Sequence, residues 1–464
     1  MEKWYRFLGV RPRETKTVWL FFAHNFLLGI GTILVYVAAN LLLLANHAER
    51  NLPLAYCVGA LATMGAGRLY AHYEHHLRLR KLAVRALLVA LVITLVLALV
   101  LRGSSVAAAV AVMTGYRLVY LLTNLEFWGM SAVVFNVRQG RRLFSVISAG
   151  DMPAKALGAV LTIFIHAHGQ LYVLLLMAFG AYLLALLMQR ATFRAEVVAA
   201  RPRPPARMRQ LFGASPLVRA MGLSLTAIAA VAVGVEYLFF VNVKYKLQDQ
   251  MAILRYVGGV LALIYLVAML FKLLFARHGL DRLGVRWALA VLPLTALAGI
   301  GLYGVLQAAR IGPAGLLIYF CGLYLGLEVL RRALFEPTFL VLFQPLTPLE
   351  RLEGHTLAKG FYEPLGLGGL LLLGWHRAPA LNQWVPFVWM GLLLLGALLL
   401  LQRTYRKYLD ELKGALGLRF APSPPPVPPR QGPPETAPDE PDAGPEEALH
   451  ALEHLQKMSP AALA

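Results

Sequence analysis

Residues 17–45 read TVWLFFAHNFLLGIGTILVYVAANLLLLA, a run without Asp, Glu, Lys or Arg. An α-helix needs about 20 mostly apolar residues to cross the hydrocarbon core of a bilayer, and this run is longer. Because lipid offers the backbone no hydrogen bonds, only helices and closed barrels span membranes. The alternating pattern of barrel strands is absent here. The run therefore predicts a membrane-spanning helix.

The remainder of the chain repeats this pattern. Its 464 residues are 59% hydrophobic and their mean hydropathy is +0.63. Apolar stretches of spanning length occur at about 17–45, 52–72, 83–102, 105–135, 150–168, 170–190, 216–243, 252–276, 285–309, 312–342, 358–376 and 385–402. We therefore predict an all-α membrane protein with about twelve transmembrane helices.

Basic residues are concentrated in every second connection between these spans. The rich connections hold Lys3, Arg6, Arg11, Arg13 and Lys16; Arg78, Arg80, Lys81 and Arg85; Arg138, Arg141 and Arg142; the stretch 190–209; Lys272, Arg277, Arg282 and Arg286; Arg331, Arg332 and Arg351; and Arg403, Arg406 and Lys407. Cytoplasmic loops of membrane proteins carry an excess of Lys and Arg. The alternation therefore predicts that both termini are cytoplasmic.

Several classes of function are disfavoured by composition. The formal net charge of +20 is accounted for by these loops, which predicts the lipid bilayer and not nucleic acid as the basic partner. Cys57 and Cys321 fall in different spans, so neither a disulfide nor a metal site is predicted. Phosphate-binding and nucleophile-elbow motifs are absent, so we expect no enzyme and no cofactor.

A basic, proline-containing stretch, RPRPPAR at 201–207, divides the spans six and six. We predict an N-terminal six-helix bundle (1–190), a basic cytoplasmic linker (191–215), a C-terminal six-helix bundle (216–407) and a cytoplasmic tail (408–464). Proline is the commonest residue from 422 to 445, which predicts an extended segment. An apolar periodicity from 446 to 458 predicts a short helix that docks on a protein partner.

Charged side chains inside the spans are costly, by about 2.5–3.5 kcal/mol on insertion scales, and mark functional sites. Arg117, Tyr120 and Asn124 recur at helical spacing and form one polar stripe, for which helix packing is the alternative explanation. The predicted contacts for an anionic small molecule are Arg117, Asn124, Lys155 and Lys359. The predicted residues for proton coupling or state-dependent salt bridges are Glu126, Glu236, Glu328 and Glu363. We interpret His24 as an interhelical hydrogen-bonding residue in preference to a proton carrier.

Between the eighth and ninth spans the sequence reads Gly279-Leu-Asp281-Arg282-Leu-Gly284-Val-Arg286. This resembles the Asp-Arg-x-Gly-x-Arg loop of the major facilitator superfamily. The resemblance implies two bundles that rock against each other, with Asp281 and Arg282 latching helices in one state. The corresponding loop of the first half, 65–76, keeps its glycines and basic residues but lacks the Asp-Arg pair.

A second resemblance involves Leu125-Glu126-Phe127-Trp128-Gly129, the segment 141–158, the segment 235–244 and Arg331-Arg332-Ala-Leu-Phe335-Glu336-Pro337. These resemble the ATP/ADP translocase family, the nucleotide transporters of plastids and intracellular bacteria, with divergent relatives in free-living bacteria. The resemblance implies a major-facilitator-like fold in a bacterial inner membrane. It also implies exchange or proton-coupled uptake of nucleotides with the help of membrane-embedded Lys and Glu residues.

The first span departs from that family. Nucleotide exchangers carry a charged Arg-Asp-x-x-Asp run there, whereas this chain reads Ile33-Leu-Val-Tyr36-Val-Ala-Ala-Asn40. We therefore predict a secondary transporter that works by alternating access on an anionic solute such as a nucleotide, with Glu236 as the favoured coupling residue. The alternatives are a transporter-like module that senses a ligand or anchors partners, and a flippase for lysolipids or other amphiphiles.

Overall fold

The computed structural model describes residues 10–46, 48–77, 79–101, 105–135, 143, 146–168, 170–192, 215–275, 279–346, 348–369 and 385–420. Within these ranges the chain folds into twelve long helices. They are α1 (Thr15–Ala45), α2 (Ala48–His76), α3 (Leu79–Val100), α4 (Val106–Val134), α5 (Asp151–His168), α6 (Tyr172–Thr192), α7 (Pro216–Lys246), α8 (Gln250–Phe275), α9 (Gly279–Ala308), α10 (Pro313–Leu330, then Arg331–Phe335 and Glu336–Val341), α11 (Pro348–Leu357, then Ala358–Tyr362 and Glu363–Gly368) and α12 (Val385–Phe420).

The predicted all-α membrane fold is confirmed. Eleven of the described helices are long and apolar enough to cross a membrane. The remaining one, α11, begins at Pro348, ten residues before its predicted start, and its described part ends at Gly368. Met1–Ala415 form one compact unit, so the division into six and six helices stays a prediction. The predicted linker from 193 to 214 and the tail beyond 420 lie outside the described residues.

Local sequence explains where several helices begin. The Ser105 hydroxyl accepts a hydrogen bond from the backbone N–H of Ala108, 3.1 Å away, and so caps α4. Ser215 caps α7 in the same way, with Pro216 at the first helical position. Within the loop that resembles the major facilitator motif, Gly284 adopts φ 70°, a conformation that L side chains rarely take. The side chains of Asp281 and Arg282 lie outside the described residues.

The burial pattern separates a lipid-facing surface from an enclosed core. Large apolar side chains of α3 are exposed, including Val92 and Leu99 at 62% and 56%. In contrast, α1 is enclosed over most of its length, and Leu34, Val35 and Val37 are fully buried. Apolar exposure on a spanning helix is the expected arrangement against lipid. The polar residues His24, Asn25, Thr32 and Asn40 of α1 are therefore held inside the protein.

Face A is the end where α1 begins and α2 ends, and face B is the end where α1 ends and α2 begins. The distribution of basic residues predicts that face A is cytoplasmic.

Candidate functional site

A polar cavity lies at the centre of the helix bundle. Its empty volume, opening included, is about 620 Å³. The described helices that line it are α1, α4, α5, α7, α8, α10 and α11, from both halves of the chain. Its charged and aromatic lining is Tyr36, Tyr116, Arg117, Tyr120, Lys155, Glu236, Tyr265, Tyr324, Glu328, Arg331, Arg332 and Glu363.

Arg117 differs from the other cavity cations because no carboxylate pairs with it among the described residues. Its guanidinium carbon lies 4.6 Å from the ring centroid of Tyr56 and 5.4 Å from that of Tyr116. Its Nε and Nη2 atoms are buried and have no hydrogen-bond partner in the described part of the chain. Aromatic faces stabilise a cation but accept no strong hydrogen bond from it. These two donors therefore lack an acceptor among the described residues.

The other cations of the site are each paired within their own helix. Lys155 Nζ lies 2.6 Å from Asp151, and Lys359 Nζ lies 2.9 Å from Glu363. Glu328 accepts from two cations, Arg331 at 2.9 Å and Arg332 at 2.8 Å. Counting lining residues and their direct partners, five cations face four carboxylates, so one positive charge is left. The site is nearly neutral when empty and attracts negative charge.

Two π-helical turns place cations at the cavity, Arg331–Phe335 in α10 and Ala358–Tyr362 in α11. A Glu-Pro pair follows each turn, Glu336-Pro337 and Glu363-Pro364. Proline has no N–H and its ring crowds the carbonyl four residues earlier, so a widened turn relieves the conflict. The first turn carries Arg332, whose guanidinium carbon lies 4.7 Å from the ring centroid of Tyr265. The second carries Lys359.

On the face B side, hydrogen bonds join the two halves of the chain. Glu236 Oε1 on α7 accepts from Tyr36 Oη on α1 at 2.7 Å and from Tyr56 Oη on α2 at 2.5 Å. The Tyr36 hydroxyl also lies 3.3 Å from that of Tyr324 on α10. Hydrogen bonds to an ionised group are about twice as strong as neutral ones. Glu236 therefore ties α1 and α2 to α7 between the cavity and face B.

On the face A side, the halves meet through close backbone packing. A Cβ atom built on Gly67 of α2 would lie 2.6 Å from the Cα of Gly360 in α11. Nearer to face A, the Thr356 hydroxyl donates to Glu74 Oε2 at 3.1 Å. Only glycine allows so close an approach of two backbones. The two halves of the chain are therefore in contact on both sides of the cavity.

Not all sequence-predicted residues line the cavity. Arg117, Lys155, Glu236, Glu328 and Glu363 line it, and Lys359 is paired with Glu363. The predicted stripe divides: Asn124 lies beyond the lining, with a buried Oδ1 that has no partner among the described residues. Glu126 lies in a separate buried cluster with His24 and Gln189.

Sequence reasoning missed Arg331 and Arg332. We assigned both to a basic cytoplasmic connection, although they fall inside the tenth predicted span, and the structure corrects this: they lie in the cavity wall. The cavity tyrosines were also missed, apart from Tyr120. The available signal was Glu328, which lies three and four residues before the two arginines and so shares a helical face with them.

The chain matches no protein-family model and no curated protein sequence. It is similar in structure to the human organic anion transporter MFSD10, with a TM-score of 0.58, 16% identity and coverage of 84% of this chain and 100% of that one. It is also similar to a bacterial homologue of the iron transporter ferroportin in the outward-facing state (TM-score 0.62, 15% identity, coverage 85% and 99%) and to a variant of the nucleoside transporter NupG (TM-score 0.58, 11% identity, coverage 84% and 100%). The resemblance to ATP/ADP translocases stays a prediction. At these identities the likeness concerns the fold alone: the chain shares the helical fold of these transporter structures.

Proposed function

We propose that this chain is a secondary transporter that moves an anionic organic solute across a bacterial inner membrane by alternating access. The observation that carries the proposal is Arg117 in the cavity wall: a cation without a carboxylate partner among the described residues, whose buried Nε and Nη2 atoms have no acceptor there. A buried guanidinium whose N–H donors lack acceptors is costly unless an anion accepts hydrogen bonds from them. The substrate then supplies the missing acceptor.

Alternating access is supported by the arrangement of contacts around the cavity. Glu236 with Tyr36 and Tyr56 closes the face B side, and the contact of Gly67 with Gly360 closes the face A side. A rocking motion of one half against the other would break one set while keeping the other. The cavity would then open to one side at a time.

The net charge of the site indicates which anionic substrates it favours. With one unbalanced positive charge, the site favours an anion of one or two negative charges, such as a carboxylate or a nucleoside monophosphate. ATP would be accommodated if its phosphates displaced Asp151 from Lys155 and Glu363 from Lys359. Each such exchange removes a short ion pair, which lowers the net gain. Among nucleotides we therefore propose AMP ahead of ATP.

The test is uptake of radiolabelled AMP, ATP and benzoate into proteoliposomes that contain the purified chain, with internal substrate or with a proton gradient. We expect saturable uptake of at least one probe. Replacing Arg117 by Gln should lower it by about tenfold or more, since hydrogen bonds to a charged group contribute about 1.5–3 kcal/mol. Arg117→Lys should restore part of the loss, because an ammonium keeps the charge but not the fork of donors.

The matched control is Arg85→Gln, which removes an exposed arginine from α3. It should leave uptake unchanged. If the folded protein takes up none of the three probes under either condition, the proposal for these anions is wrong. Equal loss in the Arg85 and Arg117 variants would also argue against a specific role for Arg117.

A further inference from the structure

A second buried polar cluster lies in the first half of the chain, apart from the cavity. Glu126 on α4 accepts from Gln189 Nε2 on α6 at 2.7 Å, and its two oxygens lie 3.2 and 3.0 Å from His24 Nε2 on α1. All three side chains belong to buried residues, with exposed fractions of 4% for His24, 1% for Glu126 and 2% for Gln189. Three helices therefore meet at one carboxylate in the dry interior.

The charge of this cluster depends on one proton. Among the described residues, His24 is the basic group paired with Glu126, and no Lys or Arg joins it. With neutral imidazole and ionised carboxylate, the cluster carries one uncompensated negative charge. With one more proton it is neutral overall, either as an imidazolium–carboxylate pair or as a carboxylic acid bonded to imidazole. A buried unpaired charge costs several kcal/mol, whereas the form with one more proton carries no net charge.

Around the cluster, the described residues offer no other compensating charge. Tyr70 of α2 faces the cluster, and its buried hydroxyl has no partner among the described residues. From α3, Leu82 and Ala86 pack around Tyr70, while the basic side chains of that helix, Arg80, Lys81 and Arg85, are exposed. On α6, Arg190 is exposed, and on α5 Asp151 is paired with Lys155. Among the described residues of this cluster, His24 and Glu126 are therefore the paired groups that can exchange a proton.

The position of the cluster links it to the opening of face A. Glu126 lies nine residues beyond Arg117, about 13 Å along α4 in the direction of face A. Tyr70 lies three residues from Gly67 and four from Glu74, about one helical turn from each face A contact. A movement of α2 that separates Gly67 from Gly360 would displace Tyr70 and admit water to the carboxylate.

From this geometry we infer that His24 and Glu126 together hold one transported proton, released through face A when the contact of Gly67 with Gly360 opens. The step is a proton transfer from the pair to water, which leaves neutral imidazole and ionised carboxylate. The inference rests on the proposed transport function and makes the transport of the anion proton-coupled. It also assigns the coupling role to Glu126 instead of Glu236. The Glu236 carboxylate is held by two tyrosines and lies in the cavity with Arg117.

The proton can be detected without any substrate. Infrared difference spectra of the full purified chain, recorded between acidic and alkaline pH, should contain a protonated-carboxyl or imidazolium signal from the pair. Glu126→Gln should abolish that signal, whereas Glu236→Gln should retain it. In His24→Gln the imidazole signals should vanish and the proton should remain as a carboxyl band, which provides a second variant if one fails to fold. Absence of the signal in the wild type, or its survival in Glu126→Gln, would overturn the assignment, as would its loss in Glu236→Gln alone.

Transport measurements then test this inference separately from the proposed transport function. In proteoliposomes loaded with AMP or benzoate, Glu126→Gln should retain counterflow of the same labelled probe, which needs no net proton movement. It should lose accumulation driven by a proton gradient. Gradient-driven accumulation equal to that of the wild type would contradict the inference while leaving the transporter proposal in place. Failure of counterflow in the wild type would refute the transporter proposal for these probes, and the infrared result would still decide where the proton resides.

Discussion

Adding one methyl group to Gly67 should weaken the contact between α2 and α11 at face A. A Cβ at this position would lie 2.6 Å from both the Cα and the carbonyl oxygen of Gly360. Carbon atoms in contact prefer separations of about 3.5–4.0 Å, so α2 and α11 would have to move apart by about 1 Å. Both obstructing atoms belong to the backbone, so a side-chain rotation cannot relieve the overlap.

The size of the effect follows from the cost of overpacking. Inserting a methyl group into a well-packed contact costs about 1–3 kcal/mol. In a two-state equilibrium, that cost corresponds to a change of about 5- to 150-fold in the ratio of closed to open face A. Gly65→Ala is a matched control on the same helix, since a Cβ there would meet no heavy atom within 4 Å. The control should leave the equilibrium where it is.

The assay is a distance measurement between two spin labels at face A. Tyr73 on α2 and Glu350 on α11 are both exposed and can be replaced by labelled cysteines after Cys57 and Cys321 are changed to Ala. Gly67→Ala should add or enlarge a long-distance population that Gly65→Ala lacks. If both variants give the distance distribution of the parent protein, the contact of Gly67 with Gly360 does not control face A and the argument fails.

Further predictions concern the paired charges and the other closure. Glu328→Ala should lower the free energy of unfolding by about 3 kcal/mol, because Arg331 and Arg332 both lose the carboxylate with which they pair. Thermal unfolding in detergent should show a lower midpoint temperature. An unchanged midpoint would contradict a stabilising role for these two ion pairs. Tyr56→Phe should weaken the closure at face B by about 1.5–3 kcal/mol, since it removes a hydrogen bond to Glu236. Spin labels moved to the face B ends of α2 and α7 should then report longer distances, and unaltered distances would show that Tyr36 suffices.

The helices were predictable because the physical requirement is local. A spanning helix must be apolar over about 20 consecutive residues, and that property is visible in any window of the sequence. The start of α11 was missed by ten residues because Pro348–Leu357 is polar: it contains Glu350, Arg351 and Glu353. Hydropathy does not register a polar helical extension of this kind. Capping and proline signals mark such starts better than apolar content does.

The site was predictable only in part. The pairs of Lys155 with Asp151 and of Lys359 with Glu363 are four residues apart, so their contact follows from helical periodicity. The contact of His24 with Glu126 joins residues 102 positions apart and depends on how α1 packs on α4. Nothing in the local sequence encodes that packing. The interpretation of His24 as an interhelical hydrogen-bonding residue could therefore not name its partner, Glu126.

The distribution of polar contacts also suggests why this site could persist while the closures around it alternate. Ion pairs at the cavity, such as those of Lys155 with Asp151 and of Lys359 with Glu363, lie within single helices. A rigid movement of helices carries both partners together, so these pairs do not oppose it. In contrast, Glu236 with Tyr36 bridges the two halves, so its hydrogen bond must break when face B opens. Because the ion pairs lie within single helices, the charge of the binding site stays constant during the movement. Because fewer interactions join the two halves, face A and face B can open in turn at a cost of a few kcal/mol.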